Sequence, residues 1–195
     1  VRAIAADNLK TRLAYSTVSQ LSYIVLGAAL ATPSAVLGAG LHILVHGLAK
    51  ITLFFCAGAI QVAAHKTQVS ELDGIGRAMP FTLGAFCVGS LCIIGVPPLG
   101  GAWSKWFLLL GAAEAHQVVF MLVWLASSLL AVTYLMPVVV RAFFREPPAN
   151  SEPIGEAHWL MLLPLCATAL GCVVVFFYAD SVRELLLPIL AGGGG

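Results

Sequence analysis

The 195-residue chain is 60% hydrophobic and 10% charged, where a soluble domain runs nearer about half apolar and a quarter charged. Ten basic residues stand against nine acidic ones, so no extended basic face is available to nucleic acid phosphates, and lipid is the implied solvent.

A helix needs about 20 mostly apolar residues to cross the hydrocarbon core. The first such run covers Leu13 to Ala31 and stops at Thr32-Pro33-Ser34, where a proline one position into the next helix is a usual start. The opening Val-Arg-Ala-Ile lacks the basic head, apolar stretch and small-residue site of a signal peptide, and a piece of a longer chain is expected. The second run, Ala35 to Ala64, is long enough to tilt and ends in His65-Lys66-Thr67-Gln68. A polar loop with Glu71, Asp73 and Arg77 leads to Pro80.

The third run is apolar from Phe81 to Val96 and meets Pro97-Pro98-Leu99-Gly100-Gly101, through which a helix cannot continue. Apolar residues resume from Ala102 to Ala113. A non-helical entry at that depth is tolerated only if it is buried in protein or lines a wet cavity. Val118 to Phe144 forms a further run with a kink expected at Pro137. After a polar loop holding Pro147, Pro148 and Pro153, the last run covers Trp159 to Tyr178, with Pro164 near its start. The expected fold is an all-α polytopic integral membrane protein of about six transmembrane helices, one of them broken. Residues 1–195 form a single membrane domain, and 180–195, with a short amphipathic piece and a glycine run, form a frayed tail. The five cysteines all fall in apolar runs without paired spacing and read as small packing residues.

Lys10 and Arg12 before the first run share a side with Lys66 and Arg77 after the second, the side that the positive-inside rule calls cytoplasmic. Arg141 and Arg145 join them if residues 97–113 are re-entrant, and fall opposite if those residues are a crossing of their own.

Ionisable residues inside apolar runs are costly and face a bundle interior or an aqueous path. His42, His46 and Lys50 are spaced by four and four. Each step advances about 40° around a helix, so they form one polar stripe climbing about 12 Å. Histidine titrates near neutrality and a desolvated lysine can exchange protons, so the stripe suits a proton relay. Otherwise the histidines bond between helices and Lys50 snorkels to an interface. A zinc site is disfavoured because Ile43 stands where a metalloprotease helix carries glutamate and no third ligand is near. Lys105 follows the Pro97-Pro98 break, where freed backbone groups and water can solvate it. Its other reading is a headgroup-level cation between Trp103 and Trp106. No Asp or Glu lies inside an apolar run to balance either lysine.

Asp7-Asn8-Leu9-Lys10-Thr11-Arg12-Leu13-Ala14-Tyr15-Ser16-Thr17-Val18-Ser19-Gln20 resembles the signature of the proton-conducting subunits of respiratory complex I and Mrp-type cation/proton antiporters. His42-x-x-x-His46-x-x-x-Lys50 with Ile51-Thr52-Leu53-Phe54-Phe55 resembles the next helix of that family. Gly95-Val96-Pro97-Pro98-Leu99-Gly100-Gly101-Ala102-Trp103-Ser104-Lys105-Trp106 resembles its later broken helix. The Ser104-Lys105-Trp106 ending and the Thr67 to Arg77 loop look most like the D-type subunits of the Mrp branch.

The resemblance implies that Lys50 lies on the family's hydrophilic axis with His42 and His46 as hydration partners. Lys105 becomes the ionisable residue of the broken helix, whose break is Pro97, Pro98, Gly100 and Gly101, and Lys10 a surface relay. It also implies that residues 97–113 belong to a genuine crossing, with Arg141 and Arg145 as exceptions to the charge rule. The implied function is proton translocation, against Na⁺ or K⁺ or within an NADH:quinone oxidoreductase-like complex. The implied setting is the cell's inner (plasma) membrane, with other membrane subunits as partners and with no cofactor, metal or catalytic site in this chain. The alternative is a structural subunit, or a fragment without its own ion path, since the family's subunits are longer and carry a glutamate–lysine pair in their first half. Gly47, where the family usually has alanine, and Ala102, where an aromatic is common, imply looser packing around the two lysines.

Overall fold

The computed structural model describes residues 2–148 and 154–191. Its elements are α1 (Arg2–Ala5), α2 (Leu9–Leu30), α3 (Pro33–Ala64), α4 (Pro80–Ile94), α5 (Gly101–Glu114), α6 (Val118–Phe144), α7 (Trp159–Phe177) and α8 (Ala179–Ala191). Two short 3₁₀ turns, Val69–Glu71 and Ile75–Arg77, lie in the α3–α4 loop. The six apolar helices α2 to α7 make the all-α membrane domain that the composition requires. Pro137 and Pro164 sit inside α6 and α7, which continue through them. The segment expected to fray is helical through Ala191 as α8, and the glycine run 192–195 lies outside the described residues.

Local chemistry sets the ends. The Asn8 side chain accepts from Thr11 N at 3.0 Å and starts α2. The Thr32 hydroxyl accepts from Ala35 N, with Pro33 in the first turn of α3. α4 has no side-chain cap of its own. Instead Glu156, from the loop before α7, accepts from Phe81 N at 2.9 Å and from the Thr82 hydroxyl at 2.6 Å. That places a carboxylate at the positive end of a helix that would otherwise leave donors bare.

α3, at 32 residues, is about 48 Å long, and the other helices are read against it. Gly111 lies against Ala35, Gly38 against Leu108, Gly100 against Val45, and Gly89 against Ala49 and Leu53. These pairs descend in one antiparallel register, so α5 covers the first half of α3 and α4 covers the second. With 15 and 14 residues, α4 and α5 span only about 22 Å each, too short alone for a core about 30 Å thick. They are two halves of one discontinuous crossing.

This corrects the expected placement of Arg141 and Arg145. Because α4 and α5 together cross once, α6 returns to the face that carries Lys66 and Arg77. Arg141 Nε donates to Asp73 at 2.6 Å and Arg145 reaches the same carboxylate at 3.5 Å. Neither arginine is an exception to the positive-inside rule. The same face is tied by Ser70 to Asp7, by Lys10 Nζ to Gln61 at 2.6 Å, and by Glu71, which accepts from Gln68 N and Thr67 N.

Elsewhere α6 and α7 present broad apolar faces, with Leu129, Leu163 and Leu170 exposed, as a lipid- or subunit-facing surface requires. Small residues let α3 and α5 approach closely, the usual way for helices to associate when lipid removes the hydrophobic drive.

A Cβ at Gly111 would overlap Ala35 N, a backbone atom that cannot yield. Gly111→Val therefore destabilises the domain by about 1–3 kcal/mol or more, read as a lower thermal transition in detergent, while Gly47→Ala, which meets nothing within 4 Å, does not. The Asp73 carboxyl is held below its ordinary value, first by the hydrogen bond from Arg141. A lowered value in the folded state means that the tie stabilises the fold above the ordinary carboxylate range and is lost as pH falls through the lower one. Protection of the amides of residues 69–77, corrected for intrinsic exchange, should drop in that acid window and be low at every pH in Asp73→Asn.

Candidate functional site

The break comes first, because it builds the site. Gly95, with φ of 93°, ends α4 in a left-handed conformation open to glycine. The Pro97–Pro98 bond is cis. Gly95 N and Val96 N both return to Leu91 O, and Gly100 N donates to Cys172 O on α7 at 2.9 Å. A Cβ on Gly101 would overlap Cys92 O, so glycine is required where the two half-helices meet. The backbone freed by the break is thus satisfied by a neighbouring helix, as membrane depth demands. One freed carbonyl, Ile94 O, accepts from Lys105 Nζ at 3.0 Å.

Lys105 is 8% exposed and turned inward. Its Nζ also donates to Ser128 Oγ on α6 at 2.8 Å and stands 5.2 Å from the centre of the Tyr23 ring, in cation–π range. Trp106 faces outward while Lys105 does not, so Lys105 is not a belt cation. Lys50 is 6% exposed, and its Nζ donates to Leu13 O on α2 at 3.0 Å rather than snorkelling to an interface. Neither lysine has a carboxylate within ion-pair distance among the described residues.

The two histidines lie between them. His42 and His46 are buried and stacked at 5.9 Å, with Tyr23 stacked on His42 at 5.5 Å and Trp124 on Tyr23 at 6.1 Å. Ser104, in the first turn of α5, donates its hydroxyl to Gly101 O and sits 2.9 Å from His42 Nδ1. With the hydroxyl proton on Gly101 O, Nδ1 is the donor and Nε2 the basic nitrogen; with it turned to His42, Nδ1 accepts. His42 Nε2, His46 Nε2, Ser90 Oγ and both amide atoms of Gln20 are buried without a protein partner.

The structure therefore gathers His42, His46, Lys50 and Lys105 in one interior and leaves Lys10 exposed at the loop face, bonded to Gln61. It adds Gln20, Tyr23, Ser104 and Ser128, which the sequence did not single out. A signal was present: Ser16, Gln20 and Tyr23 recur at four and three within an apolar run, the spacing of one helix face.

Residues 1–131 match the family model described as NADH:quinone oxidoreductase/Mrp antiporter, transmembrane. The chain belongs to this family. It is 39% identical over 194 residues to the N-type subunit of NADH-quinone oxidoreductase from Desulforudis audaxviator, covering 93% of this chain and 39% of that protein. It is 28% identical over 187 residues to the D-type subunit of the Na⁺/H⁺ antiporter from Alkalihalophilus pseudofirmus, covering 96% of this chain and 38% of the relative. The chain thus spans about two fifths of the length of these two relatives. The fold matches a chain of the Mrp complex from Dietzia sp. with a TM-score of 0.88 at 21% identity, over 94% of this chain and 42% of the other. It also matches a chain of respiratory complex I from Thermus thermophilus with a TM-score of 0.81 at 23% identity, over 99% and 41%. Both branches named from the sequence motifs are present among the relatives, and the chain is an integral membrane protein of this family.

Proposed function

We propose that this chain is the proton-relaying part of a membrane subunit in a multisubunit complex of the cell's inner (plasma) membrane. The complex is a cation/proton antiporter exchanging Na⁺ or K⁺, or an NADH:quinone oxidoreductase-like assembly with its redox chemistry in other subunits. The observation that carries this reading is that two buried lysines, Lys50 and Lys105, are held by neutral oxygens in one interior with the stacked, buried His42 and His46.

Neutral partners are what a relay needs. A carboxylate would fix each lysine as a cation, whereas a carbonyl accepts a hydrogen bond from an ammonium or from a neutral amine alike. The lysine can gain or lose a proton without abandoning its bond to Leu13 O or Ile94 O. With no counter-charge beside it, the site is not committed to the charged form.

Histidine supplies the intermediate step. A proton received at His42 Nε2 makes both ring nitrogens donors, and the Nδ1 proton can then leave towards Ser104. Buried polar atoms without a protein partner, as on Gln20, Ser90 and the two histidines, are normally satisfied by internal water. In the relay proposed here such waters carry the proton between Lys50, His46 and His42.

The test is initial proton uptake, read by a pH-sensitive dye, in inverted membrane vesicles carrying the complex that contains this chain, with native electrophoresis to confirm assembly. Lys105→Ala is expected to slow uptake about a hundredfold, the scale of losing a positioned proton-transfer group. Lys50→Ala should slow it about tenfold, a barrier increase of about 1.4 kcal/mol. Unchanged uptake in both variants, with assembly intact, would make the lysines structural.

A further inference from the structure

We infer that a second, hydroxyl-lined proton route, parallel to the histidine stripe and meeting it at Lys105, runs between α2 and α6 from the loop face that carries Lys66. The inference rests on the relay reading above and assigns it an additional entrance.

Where α2 and α6 face each other, every described side-chain hydrogen bond but that of Arg12 to Tyr134 O is made by a hydroxyl. Lys105 Nζ donates to Ser128 Oγ at 2.8 Å, and Ser128 Oγ lies 3.3 Å from Tyr23 OH. Ser19, one turn closer to the loop face along α2, pairs with Ser127 at 3.3 Å. Beyond them Ser16 and Tyr134 pair at 3.0 Å. Ser16, Ser19 and Tyr23 share one face of α2, and Ser127, Ala131 and Tyr134 share one face of α6. Each link is a group that both donates and accepts, the requirement for handing on a proton without net displacement of the side chain. An apolar helix pair would close with Leu and Ala, so a ladder of such groups ending on a buried lysine has a chemical direction.

The ladder opens into space. A cavity of about 300 Å³, open on one side, has Ser16, Ser19, Ser127 and Tyr134 on its inner wall, apolar residues such as Val18 and Leu130 on its outer wall, and Arg2 of α1 in its lining. At about 30 Å³ per water it has room for on the order of ten molecules, with several polar partners to hold them. Arg2 is exposed on α1, which precedes α2 at the loop face, so the polar end of the cavity lies towards that face. Tyr23 joins the two routes, because its ring stacks on His42 while its hydroxyl belongs to the ladder.

In the proposed step a water in the cavity gives a proton to the Ser127–Ser19 pair. The proton passes to the Tyr23 hydroxyl, which neighbours both Ser127 and Ser128 and gives up its bond to Trp124 O as it turns, then to Ser128, and the last proton goes to the neutral amine of Lys105. Each hydroxyl that accepts one proton releases another, so the net change is one proton moved from cavity water to Lys105.

Two measurements on the assembled complex test the route. Ser127→Val combined with Tyr134→Phe should lower initial proton uptake several-fold in the native background and remove most of the uptake that survives Lys50→Ala. Ser127→Cys should be modified by a membrane-impermeant, charged methanethiosulfonate added to the Lys66 face, read by mass spectrometry of its peptide. Unchanged uptake in the hydroxyl double variant overturns the route, whether or not the cysteine is labelled. Lowered uptake with an unlabelled Ser127→Cys also overturns it, because the hydroxyls would then act only through packing. Either result leaves the histidine stripe standing if Lys50→Ala still slows uptake. If Lys50→Ala and Lys105→Ala are both silent, the relay reading itself has failed.

Discussion

A cation cannot rest inside a hydrocarbon-embedded bundle unless something replaces its water. Here the replacement is backbone and hydroxyl oxygen, and the fold is arranged to make such oxygen available. An intact helix consumes its carbonyls internally. Interrupting the chain after Ile94 releases one carbonyl at depth, and Lys105 takes it. Lys50 takes Leu13 O in the early part of α2, where Thr17 also turns its hydroxyl back to the same carbonyl. Lys105 and the irregular backbone are therefore one design. Closing the break into regular helix would strand Lys105, and removing Lys105 would leave Ile94 O short of a partner.

The break could not be held without α3. Its length lets α4 and α5 pack end to end along one continuous surface, so that two half-helices keep a common axis although no helical hydrogen bonds cross the gap. Close approach is secured by Gly38 and Gly111 on the α5 side and by Gly89 on the α4 side. The gap is pinned from α7 by Cys172 O and at the far end by Glu156, which caps α4 from another loop. The polar stripe runs along the same helix. Its position relative to the break follows from the antiparallel register that sets His42 beside Ser104.

Much of this was legible in the sequence. The apolar runs, the stop at Thr32-Pro33, the break at Pro97-Pro98 and the stripe at four and four each depend on local periodicity or on backbone chemistry that a few residues carry. What the sequence did not disclose depends on packing between distant segments. Short α4 and α5 read as separate runs because nothing local says that they share an axis, and this misplaced Arg141 and Arg145. The Asp73 tie that corrects them joins residues 68 apart. Tyr23, Ser104 and Ser128 were missed because hydroxyls are cheap in membrane helices and seldom stand out against lysine and histidine. Only the facing of α2 against α6, and of α3 against α5, separates these from ordinary serines.

Holding both lysines with neutral oxygens also leaves each charge without a local counter-ion among the described residues. A carboxylate beside each would fix its charge locally. In its place Lys105 faces the Tyr23 ring, on which His42 and then His46 are stacked. A buried cation is costly at membrane depth, and here that cost is offset by carbonyl and hydroxyl oxygen drawn from α2, α4 and α6. Each lysine therefore takes its partners from helices other than its own, and it is the packing of α2 to α6 against one another that allows two cations without acids to share one interior.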